Sequence, residues 1–415
     1  MRIIVQKFGG TSVRDASQRS IVAEWVSGAV ERGYHPVVVV SAMGRQGDPY
    51  ATDTLLGLLA ALPQAPATET DLLLHCGEII SAVVMAGHLR QVGLSPEVMT
   101  GARAGILTDD RHGDAQIIRL EPERVLAALE DGRVPVVAGF QGLGSDGLVT
   151  TLGRGGSDTT AVALGAALGA EVVEIFTDVD GIKTADPRIV PEARTIREMD
   201  YHEVFQLANL GARVIHPRAV EMARQFSVPV RIRSTFSTAD GTLVGPGKRV
   251  WDPWGHRDPA HAVTGVTQLS DLIQFRVWPP HHEPENWSYQ LFDLLGKRGV
   301  SVDLINMFPE QVFFCVNGPQ RSLVEATLKE LAYPFEVYDN RAKVSIVGSA
   351  IEGLPGVVGR VMEALARENI RVLQSSDSHA TITLLLDKKD MEAAVRALHQ
   401  QFGLHEELAP SRVDH

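Results

Sequence analysis

Cysteine is nearly absent from this chain. Its 415 residues hold two, Cys76 and Cys315, and no Cys-x-x-Cys pair. A disulfide framework and a structural zinc site are therefore both disfavoured. Both cysteines sit among apolar neighbours in the sequence and are expected to be reduced core residues. Surplus positive charge is missing too: 39 Lys and Arg stand against 51 Asp and Glu, for a net charge of −12. That balance argues against an electrostatic nucleic-acid binder, although it leaves room for a local basic site that takes an anionic ligand. No apolar run reads as long enough to span a bilayer. Met1-Arg2 leads straight into a strand pattern without a signal-like segment, so the expectation is a cytoplasmic protein with no membrane partner. No G-x-x-x-x-G-K-[ST] loop occurs, and the protein-kinase signature set is absent. His281-His282 lies among prolines and acids and reads as a solvated loop, so no metal ligands are expected from the protein. A hydrophobic content of 44% with 22% charged residues is that of an ordinary globular chain, and the length suits two or three domains.

The most informative stretch is Lys7-Phe8-Gly9-Gly10-Thr11-Ser12. It follows the apolar Ile3-Ile4-Val5 and precedes a helical pattern, Ser20-Ile21-Val22-Ala23-Glu24-Trp25-Val26. A strand, two glycines and a helix start form a corner where backbone N–H groups can point at a phosphate. Lys7 either adds a positive charge where a transferring phosphoryl group would sit or is a surface lysine on an ordinary βα turn. Further apolar runs, Val37–Val40, Val134–Ala138, Glu171–Phe176 and Val228–Ile232, are separated by helical patterns. Runs apolar throughout argue for strands buried on both faces of a mainly parallel sheet, whose ligands bind beyond the strands' carboxyl ends.

The second motif is Thr151-Leu152-Gly153-Arg154-Gly155-Gly156-Ser157-Asp158-Thr159-Thr160, a glycine-rich loop opening onto an alanine-rich helix. Its backbone can wrap an anion and Arg154 offers a fork for a carboxylate. Asp158 lies in the first turn, where it either caps the helix or orients a lysine. Thr177-Asp178-Val179-Asp180-Gly181-Ile182 follows a strand and can either bond a nucleotide or form a plain Asp-Gly turn. Gly77-Glu78 reads as the opening of an apolar helix over Ile79–Leu89. Glu78 then either serves the helix dipole or accepts a substrate ammonium. Gly142-Leu143-Gly144-Ser145-Asp146-Gly147 matches G-x-G-x-x-G but leads into a strand, so it reads as a hairpin and not a dinucleotide loop.

Asp240–Asp258 is rich in glycine and proline and reads as a linker. Beyond it the chain repeats: Lys297-Arg298-Gly299-Val300-Ser301-Val302 and Arg367-Glu368-Asn369-Ile370-Arg371-Val372 stand at an offset of 70 residues, as do Val312–Val316 and Ile382–Leu386. Each copy reads as a β-α-β-β-α-β module, its last helix starting near Ser322 or Asp390. The two are expected to pack sheet to sheet with each other or with a second chain.

These motifs, together with Ser41-Ala42-Met43-Gly44, Asp186-Pro187-Arg188 and Val230-Arg231-Ile232-Arg233-Ser234, occur in the order seen in aspartate kinases. The chain resembles that family over essentially its whole length, in its monofunctional bacterial form. The resemblance implies a three-layer α/β/α amino-acid-kinase domain with a mainly parallel sheet over 1–245. Two ferredoxin-like βαββαβ ACT domains follow over 262–338 and 342–408. It implies ATP-dependent phosphorylation of the L-aspartate side chain, with Mg²⁺ on the phosphates, as the first step toward lysine, threonine, methionine and diaminopimelate.

Roles carry over by position. Lys7 would stabilise the transferring phosphoryl and Asp158 would orient the catalytic cations. Lys7, Phe8, Gly9, Gly10, Thr177, Asp178 and Arg188 would bind nucleotide, as would Arg213 and Val214 in Gly211-Ala212-Arg213-Val214-Ile215-His216-Pro217. Arg154 would grip the substrate α-carboxylate and Glu78 its ammonium, with Thr52, Gly155, Gly156 and Ser157 completing the substrate site. The chain departs from the family in three places. Arg213 stands where a lysine is common, Lys183 where many relatives carry a nucleotide-side tyrosine, and Arg45–Tyr50 lengthens the loop before Thr52. Lys183 is either a recovered positive charge near the phosphates or a solvated loop residue. The ACT pair implies feedback by lysine, threonine or diaminopimelate, with Asp303, Asn306, Asn369 and Arg371 as regulatory candidates, and a homodimer or higher homo-oligomer. Two other readings are an amino-acid kinase for a different substrate and an ACT-containing sensor or regulatory subunit without turnover.

Overall fold

A computed structural model describes residues 1–60, 62, 65–212, 214–246, 263–280, 286–348, 351 and 354–406. They form two compact units. One comprises Met1–Ile182, Thr195–Asn209 and Arg213–Val250; the other comprises Lys183–Arg194, Leu210–Ala212 and Trp251–His415. The short stretch Lys183–Arg194 thus groups with the second unit, although it lies inside the 1–245 span expected for the kinase domain.

The first unit is built on an eight-stranded sheet. In spatial order its strands are Glu198–Asp200, Thr242–Gly245, Val230–Ser234, Val172–Thr177, Ile3–Phe8, His35–Val40, Val134–Ala138 and Pro96–Met99. Every neighbouring pair is parallel except Val230–Ser234 with Thr242–Gly245. Val37, Val38, Val39 and Val40 are all fully buried, as strands covered on both faces require. The central strand Ile3–Phe8 lies between Val172–Thr177 and His35–Val40, so the Lys7–Ser12 turn leaves the middle of the sheet at its carboxyl edge. A second sheet of four short strands contains Gln141–Leu143 paired antiparallel with Val149–Thr151. That pairing is the hairpin read from Gly142–Gly147.

Three expectations change here. The helix expected to open at Gly77 runs from Ala67 to Gln91, so Glu78 lies near its middle. The polar residues that masked its first half include Asp71, which is fully buried. This helix is long and apolar enough to cross a membrane by length and composition, contrary to the sequence reading. It packs Leu74, Met85, Ala86 and Leu89 into the unit as a core helix. Cys76 on the same helix is exposed rather than in the core, while Cys315 is buried.

In the second unit the two repeats do not stack sheet to sheet. Their strands run edge to edge in one antiparallel six-stranded sheet, ordered Asp303–Phe308, Gln311–Asn317, Gly265–Val277, Phe335–Val347, Thr381–Asp387 and Gln374–Ser378. Gly265–Val277 and Phe335–Val347 pair along their lengths, with bulges between Leu269 and Gln274. Each long strand serves both modules, so the boundary expected between 338 and 342 falls within a continuous strand. The second module takes its fourth strand, over 265–269, from the start of the span expected for the first. Helices Trp287–Lys297 and Arg321–Glu330 cover one half of the sheet around Phe275 and Phe314; Val357–Arg367 and Met391–Gln401 cover the other around Val344 and Leu384.

Candidate active site

The end of the central strand sets the site. Phe8 is buried and stacks on Phe176 at 4.6 Å, which pins the strand and leaves only its backbone to face a ligand. Lys7 points the other way, and its Nζ lies 2.7 Å from Asp158 Oδ1, with both side chains 12% exposed. Asp158 stands in the first turn of helix Gly156–Leu168, whose N-cap is Gly155 without a side-chain cap bond. Apart from the lysine, Asp158 Oδ1 has no hydrogen-bond partner among the described residues. Of the two roles open for Asp158, the geometry selects the one that holds the lysine. After Gly9 the chain turns through Gly10–Val13, with the Ser12 N–H donating to the Gly9 carbonyl at 2.9 Å. A Cβ on Gly10 would lie 2.5 Å from the Gly44 carbonyl oxygen and 2.7 Å from that of Ala42, so only glycine fits. This close approach brings the Ser41–Gly44 segment against the phosphate corner.

Glu78 completes one side. It is 2% exposed, and among the described residues its Oε2 has no hydrogen-bond partner. Burial pushes its pKa up to about 8, opposed by a hydrogen bond from the Ala42 backbone and by the charge of Lys7. A buried carboxyl oxygen without a partner among the described residues, beside a lysine, marks a candidate ligand contact. Thr52, half-buried, begins the short helix Thr52–Gly57. Tyr50 and Leu55 border Gly77, where a Cβ would meet Leu55 Cδ1 at 2.9 Å.

The glycine-rich loop forms the other side. Gly153 and Gly155 take φ of 69° and 71°, and a Cβ on Gly155 would lie 2.2 Å from His216 Cβ. Arg154 between them is exposed, and among the described residues it has no ion-pair or hydrogen-bond partner. Ser157 is buried against Gly139. Phe140 holds φ of 69°, an uncommon conformation for an aromatic residue, and its ring lies against Gly156. Its N–H donates to Thr160 Oγ1 at 3.1 Å and its carbonyl accepts from the Leu152 N–H at 2.9 Å.

Sequence reasoning missed the residues that hold this loop. Asp71, fully buried, accepts from Thr151 Oγ1 at 2.6 Å and from the N–H groups of Thr151 and Gly113 at 3.1 Å. It also pairs with His112 Nδ1 at 2.9 Å. Burial lowers the His112 pKa, but hydrogen bonds to Asp71 and Asp146 outweigh it and hold the group above its ordinary value. Arg218 donates to the Leu152 carbonyl at 2.7 Å. His216 caps helix Pro217–Phe226, and burial lowers its pKa against the pull of Asp158. Asp71 sits seven residues before Glu78 on one helix, so one element positions both sides of the site. Asp71→Asn is expected to raise the KM of the substrate that the Arg154 loop contacts by roughly 10- to 100-fold through displacement of that loop, leaving the KM of the ligand at the Lys7 corner unchanged. An equal change in both constants in steady-state assays would contradict this.

The remaining candidates divide. Thr177 and Asp178 lie at the carboxyl end of the strand beside Lys7, and Asp178 is ion-paired with Arg45 at 2.6 Å. Val214 is half-buried in the first unit, while Arg213 lies outside the described residues. Lys183 and Arg188 belong to the second unit, where Arg188, 88% exposed, pairs with Asp186 at 2.7 Å.

The amino acid kinase family profile matches residues 2–234 and an ACT domain profile matches 336–400. Aspartokinase 1 of Bacillus subtilis is 46% identical over 97% of this chain and 100% of its own length. The chain belongs to the aspartokinase family. The aspartokinase of Geobacillus stearothermophilus is 40% identical over 99% of this chain and 100% of its own. E. coli aspartokinase III, solved with aspartate and ADP, superimposes with a TM-score of 0.78 at 26% identity, covering 96% of this chain and 99% of that one. The same E. coli protein solved with lysine and aspartate gives a TM-score of 0.76. Aspartokinase activity accounts for what the first unit holds: Lys7 at the end of the central strand, the buried Glu78, and an Arg154 that has no partner among the described residues.

The aspartokinase's second unit contains a cavity of about 270 Å³ where the two modules meet, lined by Asp303, Leu304, Lys343, Ser376, Ser378 and Thr383. Asp303 is ion-paired with the buried Lys343. Of the four regulatory candidates only Asp303 lines this cavity. Asn306 is half-buried on the edge strand, Asn369 turns the chain after helix Val357–Arg367 with φ of 56°, and Arg371 is exposed. His281 and His282 lie outside the described residues.

Proposed function

We propose that the chain transfers the terminal phosphoryl of ATP to the side-chain carboxylate of L-aspartate, giving 4-phospho-L-aspartate, under feedback by an amino acid bound at the ACT modules. The observation that carries the reading is the Lys7–Asp158 pair, set at the end of the central strand beside the unpartnered Glu78.

The aspartate carboxylate is ionised at neutral pH, so the acceptor needs no general base. What it needs is alignment with an anionic triphosphate and relief of their repulsion. Lys7 supplies positive charge at the transferring phosphoryl, and Asp158 holds the lysine in place. Gly9 and Gly10 expose backbone to the phosphates. Thr177, Asp178, Lys183, Arg188, Arg213 and Val214 remain the proposed nucleotide contacts. Arg154 takes the substrate α-carboxylate, Glu78 its ammonium, and Thr52, Gly155, Gly156 and Ser157 shape the pocket. Mg²⁺ characteristically uses one or two protein carboxylates together with nucleotide phosphates and water. Asp158, whose Oδ1 among the described residues is shared with Lys7 alone, fits that donor pattern, and the ion when bound would neutralise phosphate charge.

The testing experiment is coupled ADP release by the full chain with saturating Mg-ATP and either L-aspartate or L-glutamate. Fast turnover with aspartate alone is expected; turnover with glutamate alone, or with neither, would overturn the reading. Arg154→Ala is expected to raise the aspartate KM by roughly 10- to 100-fold with a smaller effect on kcat, as loss of a charge-assisted contact does. An unchanged KM would reassign the loop.

Lysine, threonine and diaminopimelate are the proposed effectors, and the cavity at Asp303 and Lys343 is their proposed seat. Asp303→Asn is expected to abolish the response of turnover to whichever effector inhibits the wild type, while uninhibited turnover persists. A surviving response would place the sensor elsewhere. A homodimer or higher homo-oligomer and a cytoplasmic location complete the proposal.

A further inference from the structure

Sheet order places three loops side by side at the carboxyl edge. The phosphate corner after Ile3–Phe8 is flanked by the Thr177–Asp178 turn and by the segment after His35–Val40. Arg45, on the second flank, reaches Asp178 on the first: Nη2 and Oδ2 are 2.6 Å apart. This ion pair therefore spans from one neighbour of the central strand to the other, past the end that carries Gly9 and Gly10.

The backbone is built to hold Arg45 there. The Gly44 N–H donates to the Gly10 carbonyl at 2.9 Å, tying the segment to the corner. Gly44 takes φ of 87°, and Asp48 packs where its Cβ would be. Asp48 Oδ2 accepts the Arg45 N–H at 2.8 Å, and Asp48 Oδ1 pairs with Arg14 at 3.2 Å. The main chain is fastened while the Arg45 side chain is 68% exposed and, among the described residues, joined to Asp178 alone. Exposed ion pairs contribute little and exchange readily. A guanidinium beside a polyphosphate gains charge-assisted, fork-like contacts that one carboxylate at the surface does not match.

We propose that Arg45 is a nucleotide-phosphate ligand that leaves Asp178 for the polyphosphate when nucleotide binds and frees Asp178 for the sugar or base. The proposal rests on the corner being the ATP site and assigns a role to the loop that is lengthened before Thr52.

Isothermal titration of the full chain with Mg-ADP and, by displacement, with adenosine tests it, alongside aspartate-dependent turnover of the wild type. Arg45→Ala is expected to weaken Mg-ADP by roughly 10- to 100-fold, to bind adenosine at least as tightly as the wild type because Asp178 is already free, and to leave the aspartate KM unchanged. Arg45→Lys should recover part of the loss, since it keeps the charge but not the fork. Equal Mg-ADP affinity in wild type and Arg45→Ala would overturn the proposal. So would an equal loss for ADP and adenosine, which would make Arg45 a support for the loop and not a phosphate contact. A wild type that neither binds Mg-ADP nor turns over aspartate would instead remove the reading beneath it, and the proposal with it.

Discussion

Lys7→Ala is expected to lower kcat by roughly 10²- to 10³-fold, the loss typical when one preorganised charge-stabilising group is removed from a transition state. The effect should fall on kcat more than on either KM, because the charge Lys7 meets grows as the phosphoryl moves. Lys7 is 12% exposed beside an equally sheltered Asp158, so its deletion also leaves a carboxylate unpaired and can lower stability. Lys7→Arg separates the two effects. It retains the charge and should keep the melting temperature near the wild-type value. Its wider planar head cannot reproduce the position of the ammonium, so it should recover little of kcat. A Lys7→Ala enzyme within twofold of wild-type kcat would remove the lysine from the chemistry.

The second large effect concerns Glu78 and pH. Burial pushes its pKa up to about 8, so in the free protein the group is mostly protonated near neutrality. An aspartate ammonium prefers the carboxylate form, and binding then expels a proton. The aspartate KM should accordingly fall as pH rises from about 6 toward 8, by at most about tenfold per unit, and level off above. Stability runs the other way. The folded state holds a proton that the unfolded chain has released once pH exceeds about 4.5, so the protein without substrate loses stability as pH rises from there to about 8. Glu78→Gln should flatten both profiles together and raise the aspartate KM. A variant that keeps the wild-type pH dependence of KM would show that another group is titrating.

Much of the first unit was legible because its strands are buried on both faces. Continuous apolar runs such as Val37–Val40 need no partner to be recognised, and the glycines between them mark places where a Cβ would strike backbone. The short strands Pro96–Met99, Ile106–Thr108 and Ile117–Leu120 were not legible, since three or four residues carry no reliable period. Glu78 was placed at a helix start because Asp71 and its polar neighbours look like solvent-facing residues until their partners at Thr151, Gly113 and His112 come into view. Those partners lie about 40 and 80 positions away in the chain, so pairing of this kind leaves no local trace. The repeat in the second half was legible as an offset, but its arrangement was not. Whether two βαββαβ units stack or merge depends on which edges pair, and Phe335–Val347 settles that by running unbroken through both. The cavity at Asp303 was half legible: the repeat pointed to one wall, while Lys343 and the serines opposite came from another strand pair.

The account depends on Lys7 meeting the transferred group within reach of aspartate. A crystal structure of the full chain with a non-hydrolysable Mg-ATP analogue and L-aspartate tests this most directly. Lys7 Nζ should lie within hydrogen-bond distance of a terminal phosphate oxygen, with the aspartate side-chain carboxylate facing that phosphorus and its ammonium on Glu78. A triphosphate seated away from Lys7, or an aspartate whose ammonium meets some other group, would contradict it.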